Sequence, residues 1–197
     1  MLNYYLTKLF RSAALPSIAA LLLASVAGAQ TVVYEKSRIS CVSKQMNVPV
    51  EAVFRKFSAQ ISFDPARAES TKAAIEIDVG SFDIDNAEAN DEARGKAWFD
   101  ARNFPKATFT STAVKALGGG RFEARGPLTI KGKTVEVVTP FTYRDAPGGG
   151  MIDGNFSVKR LQFNIGEGAW KDTDTVADEV QIRYQLLLSR PQTPAKK

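Results

Sequence analysis

The chain has 197 residues, with 26 lysines and arginines against 21 aspartates and glutamates, which gives a formal net charge of +5 at pH 7. It has no histidine, and this excludes Ser-His-Asp and Cys-His catalytic arrangements as well as every histidine-based metal site. Basic and acidic residues are interspersed along the chain. Because nucleic-acid binding normally needs a basic stripe, the composition argues against a nucleic-acid partner.

The first 29 residues have the features of a cleaved signal peptide. Lys8 and Arg11 form a basic region, residues 13–26 are apolar, and Ala27-Gly28-Ala29 is a small-residue cleavage site. An uncleaved membrane anchor is the weaker alternative, because the apolar run is shorter than the ~20 residues that a spanning helix needs. We therefore expect an exported protein, located in the periplasm.

The rest of the chain has the length of one domain, residues 30–190, followed by a basic tail at 191–197 that we expect to be disordered. Its one cysteine, Cys41, has no partner for an intramolecular disulfide. We interpret Cys41 as a small buried apolar side chain. Homodimerisation through its sulfur is the minor alternative.

Apolar and polar residues alternate with a period of two through most of the domain. This pattern predicts eight or nine β-strands, each with one dry and one wet face. The predicted strands are residues 34–44, 54–63, 73–79, 107–114, 121–130, 134–143, 151–158, 161–165 and 180–188.

Turn signals between these runs leave no room for helical crossovers, so neighbouring strands are expected to pair antiparallel. One helix is predicted: Asp85 with Glu88 resembles an N-terminal cap, and Gly95 ends the helix. Such a sheet must form a sandwich or a closed barrel. The periodicity alone does not distinguish the two. An eight-stranded barrel has room inside for side chains or one small ligand.

Four segments, in this order and spacing, are similar to the YceI-like family of secreted bacterial polyisoprenoid-binding proteins. They are residues 98–111, 126–132, 160–163 and 166–170. The similarity extends over residues 34–189. It implies an all-β, antiparallel, lipocalin-like β-barrel of about eight strands with one short covering helix. It also implies a bound isoprenoid lipid as the ligand, with no catalytic residue, metal or further cofactor.

The candidate lipid-binding residues are ten apolar side chains that strand parity places on the dry face. They are Phe57, Phe63, Ile75, Ile77, Phe109, Phe122, Leu128, Phe156, Phe163 and Tyr184. Small inward residues between them would leave room for an elongated tunnel. These are Ala73, Ser111, Ala124, Gly126 and Gly154.

A polar head group of the lipid is expected at a mouth of the barrel, near cations in turns. Arg160 is the preferred candidate, with a structural ion pair as its alternative role. Lys131, Lys133 and Lys171 are further candidates.

The resemblance implies a non-enzymatic carrier for a polyprenyl phosphate or a prenyl quinone, with transient membrane contact. Two alternatives remain open from the sequence. One is a secreted stress-related or interaction protein with a filled barrel and no ligand. The other is a lipid-modifying enzyme, against which the missing histidine argues.

Overall fold

The computed structural model describes residues 30–190, in which an antiparallel sheet of eleven strands curls into a half-barrel. The strands are β1 (Arg38–Gln45), β2 (Val48–Phe54), β3 (Phe57–Ser62), β4 (Lys72–Asp78), β5 (Phe82–Asp83), β6 (Lys106–Thr110), β7 (Ala113–Gly118), β8 (Arg121–Ile130), β9 (Lys133–Ala146), β10 (Gly149–Lys159) and β11 (Glu179–Ser189). One α-helix, α1 (Ala87–Arg94), lies between β5 and β6 in the chain. The predicted all-β, lipocalin-like class is confirmed.

The expected signal peptide and basic tail fall on residues 1–29 and 191–197, outside the described part of the chain. Within residues 30–190, no helix is both long and apolar enough to cross a bilayer.

All the strand pairs are antiparallel, as the short connections predicted. The order across the sheet is β3-β4-β6-β8-β9-β10-β11-β1-β2-β5, and β7 pairs with β8. The predicted turn at Lys131-Gly132 is the two-residue loop between β8 and β9, where Ile130 pairs with Lys133. Both loop residues have positive φ (46° and 72°), which matches the twist of a tight hairpin.

Two predicted strands are each divided in the structure. Residues 54–63 contain the end of β2, a turn at Arg55-Lys56 and all of β3. Residues 107–114 contain most of β6 and the start of β7. In both places the apolar residues change parity at the bend, from Phe54 to Phe57 and from Phe109 to Val114. The sequence therefore carries a sign of each break that the predicted strands did not take into account.

Residues 161–165 were predicted as a strand. Residues 161–163 instead belong to a 3-10 helix, Arg160–Phe163, whose C-cap Asn164 has the left-handed conformation (φ 55°). The predicted helix is present, but its N-cap is Asn86 and not Asp85. The Asn86 side-chain oxygen accepts a hydrogen bond from the Ala89 N–H at 3.0 Å. Gly95 is the C-cap, as expected.

The segment before β1 covers the seam between β11 and the edge strand β3. On one side, the Val33 N–H donates to the Leu187 carbonyl at 2.8 Å. On the other, the Ala59 N–H donates to the Tyr34 hydroxyl at 3.3 Å and the Phe63 N–H donates to the Gln30 side-chain oxygen at 2.9 Å. The seam is thus closed toward β3 by side chains and not by a strand ladder.

Candidate functional site

The inside of the half-barrel contains an apolar cavity of about 130 Å³, which we call the bore. Its walls come from the inward-facing residues of the strands, which is why parity in the sequence locates them. Seven of the ten predicted lipid-binding residues line it. They are Phe63, Ile75, Ile77, Phe109, Leu128, Phe156 and Tyr184.

A cluster of four aromatic rings closes one end of the bore. The Phe63 ring centroid lies 5.1 Å from Phe122, 5.7 Å from Phe141 and 5.0 Å from Tyr143. Phe122 and Phe141 are stacked at 5.3 Å. Phe122 was predicted to line the bore, but its ring packs within this plug and does not reach the cavity.

A second aromatic cluster, Phe54, Phe82 and Phe99, lies at the opposite end of the bore and is called here the aromatic junction. Its ring centroids are 5.8 Å (Phe54–Phe82), 6.1 Å (Phe54–Phe99) and 5.5 Å (Phe82–Phe99) apart. Phe99 lines both the bore and a larger cavity beyond it. One side chain therefore separates the two spaces.

That larger cavity, the chamber, has a volume of about 1160 Å³. It lies between α1 and the ends of β1 and β2 that meet at their hairpin. Trp98 and Trp170, 5.4 Å apart, form part of its wall, and the Trp170 indole N–H donates to a Glu92 carboxylate oxygen at 2.9 Å. Sequence reasoning missed the chamber, because α1 and loops far along the chain complete its wall, and these carry no period-two signal.

Two further predicted lipid-binding residues lie away from the bore. Phe57 packs against Tyr34 with ring centroids 5.4 Å apart, on an outer groove at the seam. Phe163 is 1% exposed in a separate core cluster with Leu128 and Val137. The prediction that its side chain points into the bore is wrong, because Phe163 lies on a 3-10 helix and not on a strand.

The small residues expected to leave a tunnel differ in what they provide. Ala73 and Ala124 line the bore. Gly154 leaves no space, because the Tyr184 ring occupies the position that its missing side chain would take. Gly126 lies against the Thr110 carbonyl of the neighbouring strand. The two glycines therefore allow close packing and do not widen the bore.

Arg160 is only 3% exposed, and its guanidinium is surrounded by backbone carbonyls. The accepting carbonyls are those of Ala177 (3.1 Å), Ile165 (2.9 Å), Gly166 (3.3 Å), Trp170 (2.7 Å), Val176 (2.7 Å) and Asp172 (3.5 Å). Since Arg has five N–H donors, none remains for a lipid head group. The head-group expectation is therefore corrected. The burial of Arg160 agrees with its alternative, structural role, although its hydrogen-bond partners are backbone carbonyls and not the carboxylate of an ion pair.

Lys131 is a second buried cation, 9% exposed, in the same region. Its ammonium donates to the Lys96 and Asn164 carbonyls, both at 2.8 Å, and to a Glu167 carboxylate oxygen at 2.9 Å. This contact holds the pKa of Glu167 below its ordinary value. Lys131 is therefore structural. Lys133 and Lys171 are exposed and line neither the bore nor the chamber.

Comparison with known proteins identifies the family. A model of the YceI-like domain matches residues 31–188. The chain belongs to the YceI-like family. A crystal structure of Burkholderia cenocepacia BcnA is similar, with 50% identity, coverage of 79% of this chain and 98% of BcnA, and a TM-score of 0.77. A Vibrio cholerae UPF0312 protein is 29% identical over 141 residues, which are 67% of this chain and 75% of that protein.

A more distant structure has the same fold. It is a polyisoprenoid binding domain from Saccharophagus degradans that is implicated in plant cell wall breakdown. It is 17% identical, with a TM-score of 0.67 and coverage of 83% of this chain and 99% of that domain.

The YceI-like segments of the sequence meet beside the chamber. Trp98 comes from the first segment, and the Arg160 guanidinium carbon from the third lies 5.6 Å from its ring centroid. Lys131 from the second contacts Glu167 from the fourth. The motifs therefore hold the loops at the end of the half-barrel, and the first two also supply part of the bore wall, including Phe99, Phe109 and Leu128.

Tyr184 provides the polar contact within the apolar bore wall, since its hydroxyl lies 2.6 Å from the Thr139 hydroxyl. Burial raises the pKa of Tyr184 from 10.0 to about 12. In this YceI-like domain we expect no effect on stability below pH 10. Between pH 10 and 12 the unfolded chain ionises and the folded one does not, so about 2–3 kcal/mol of unfolding free energy is lost.

Urea unfolding of the wild type and Tyr184→Phe across this range measures that loss. The gap between the two proteins should narrow or reverse as pH rises, because only the wild type has the titrating hydroxyl. Parallel pH profiles would contradict the assignment.

Cys41 lies on the chamber wall and is 8% exposed. Burial raises the pKa of its thiol to about 12, so the thiol stays protonated at neutral pH. The interpretation of Cys41 as a small buried side chain is confirmed.

Proposed function

We propose that this YceI-like protein is a periplasmic carrier for a long isoprenoid lipid, a polyprenyl phosphate or a prenyl quinone. The observation that supports this most directly is the arrangement of two adjoining spaces, the apolar bore and the larger chamber of mixed apolar and acidic lining, that meet at Phe99. A flexible prenyl chain of many carbons needs a long, dry path more than it needs precise polar contacts.

The volumes suggest how such a chain would be held. A bore of about 130 Å³ is below the ~300–1,000 Å³ of ordinary ligand pockets, while the chamber of about 1160 Å³ is above it. A bound chain would occupy both spaces, with the Phe99 ring turned aside where they meet. Each buried CH₂ contributes about 0.8 kcal/mol, which offsets the cost of moving one aromatic side chain.

The proposal is one of binding without catalysis. The chain has no histidine, and residues 30–190 contain no group of three or more Cys, Asp or Glu side chains that would hold a metal ion. Export through the signal peptide would bring the carrier to the periplasm. There we expect it to contact a membrane only transiently, while a lipid is transferred.

A second candidate function follows from the small bore. Its aromatic plug is closely packed, and 130 Å³ is little space for a ligand. A secreted interaction protein with a filled barrel would have these features. The two candidates differ in whether Phe99 moves to admit a chain.

Native mass spectrometry of the exported protein, purified without detergent and followed by solvent extraction, separates the two candidates. The carrier should show a mass excess that releases a prenyl lipid. A straight-chain fatty acid of similar carbon number, offered to the delipidated protein, serves as the comparison ligand. A bare mass, with no uptake of prenyl quinone or polyprenyl phosphate, would favour the interaction protein.

A further inference from the structure

An outer groove of about 660 Å³ lies at the seam of the half-barrel. It is formed by the 3-10 helix Tyr34–Lys36, the start of β1 and the turn between β2 and β3. Its charged lining residues are four cations and one carboxylate. They are Lys36, Arg38, Arg55, Lys56 and Glu35.

The two arginines of the groove are already paired. Arg38 lies 2.9 Å from a Glu51 carboxylate oxygen, and Arg55 lies 2.8 Å from one of Asp83. Lys36 and Lys56 are exposed and form no salt bridge with any carboxylate of residues 30–190. Two lysines without a carboxylate partner among residues 30–190 therefore line the same groove.

The groove is also next to the lipid path. Phe54 of the aromatic junction lines both the groove and the bore. Tyr34, which is 46% exposed, and Phe57 add apolar surface beside it. A molecule with an anionic end and an apolar chain has room for its anionic end in the groove, with its chain extending past Phe54 into the bore.

The chamber has the opposite charge. Glu88, Asp91 and Glu92 line it, and its lining cation, Arg160, donates to carbonyls only. An anionic head would be repelled there, because like charges a few ångströms apart disfavour each other. Of the two openings at the aromatic junction, the groove is the one that suits an anion.

We propose that this groove binds the anionic head of the lipid, of the phosphate or pyrophosphate class, through Lys36 and Lys56. The proposal rests on the carrier function and selects a prenyl phosphate over a quinone. It also sets the orientation: the head lies at the seam, and the chain passes Phe54 toward the bore and chamber.

The test compares the binding of farnesyl phosphate and farnesol, which share a chain and differ in the head. The variants are K36Q/K56Q and the matched control K115Q/K133Q, which removes the same charge from exposed lysines outside the groove. We expect K36Q/K56Q to weaken farnesyl phosphate binding about five- to tenfold and to leave farnesol binding unchanged. The control should match the wild type, and the difference should shrink at high salt.

Other outcomes identify which proposal fails. Equal loss of both ligands in K36Q/K56Q, or no loss of either, overturns the head-group site and leaves the carrier intact. If the wild type binds neither ligand, the carrier function itself fails. If inorganic pyrophosphate competes at the same concentration as farnesyl phosphate, the groove is a site for free anions. If the protein adsorbs to anionic vesicles through these charges and shows no preference for farnesyl phosphate, the groove is a membrane-docking surface. Both would overturn the assignment to a bound lipid head.

Discussion

Replacing Ala73 with phenylalanine is expected to weaken prenyl-lipid binding by about a hundredfold or more. Ala73 lies on β4 with its side chain in the wall of the bore. A phenyl ring at this position would fill most of a cavity of only about 130 Å³. Loss of burial for about four CH₂ groups is equivalent to roughly 3 kcal/mol, which is about two orders of magnitude in the dissociation constant.

The next residue on the same strand provides the control. Ala74 is exposed and faces away from the bore, so Ala74→Phe makes the same chemical change on the wet face. Lipid retention by native mass spectrometry and competition with a fluorescent prenyl probe measure both variants, and circular dichroism checks their folding. Retention in a folded Ala73→Phe protein that equals that of Ala74→Phe would exclude the bore as the lipid site.

Replacing Arg160 with methionine is expected to reduce the free energy of unfolding by about 3–5 kcal/mol. The methionine would fill part of the space and leave the carbonyls around Arg160 without their donors. The carbonyls with the shortest contacts are those of Trp170, Val176 and Ile165. For a domain of this size the melting temperature should fall by about 6–20 °C.

Arg160→Lys tests whether the geometry of the guanidinium matters beyond its charge. The lysine ammonium has three donors, against five on the guanidinium, and it cannot reach all the carbonyls around the guanidinium plane. We therefore expect a melting temperature between those of the wild type and Arg160→Met. A melting temperature within about 2 °C of the wild type for Arg160→Met would show that water satisfies these carbonyls equally well. That result would remove the structural role assigned here.

The sequence predicted the fold and much of the bore. Strand parity identified Ile75, Ile77 and Phe109 as inward residues because a strand alternates its faces whatever it pairs with. It failed where the backbone leaves the strand conformation. Phe163 has the right spacing but lies on a 3-10 helix, and residues 54–63 divide into two strands where the apolar spacing from Phe54 to Phe57 is three residues and not two.

The two buried cations illustrate a different limit. Arg160 and Lys131 have the sequence context of turn residues, and a cation in a turn is ordinarily solvated. Their burial depends on the carbonyls of loops far along the chain, such as Val176 for Arg160 and Lys96 for Lys131. No local pattern reports a contact of that kind.

The sequence by itself determined the all-β class, the antiparallel pairing, the family and the inward face of most strands, because these depend on local periodicity and on motifs in order. The tertiary structure alone decided where the empty space lies. The chamber, the aromatic junction and the cationic groove are built from residues distant in the chain. Cavities are what packing leaves unfilled, so their size and charge depend on all the surrounding elements at once.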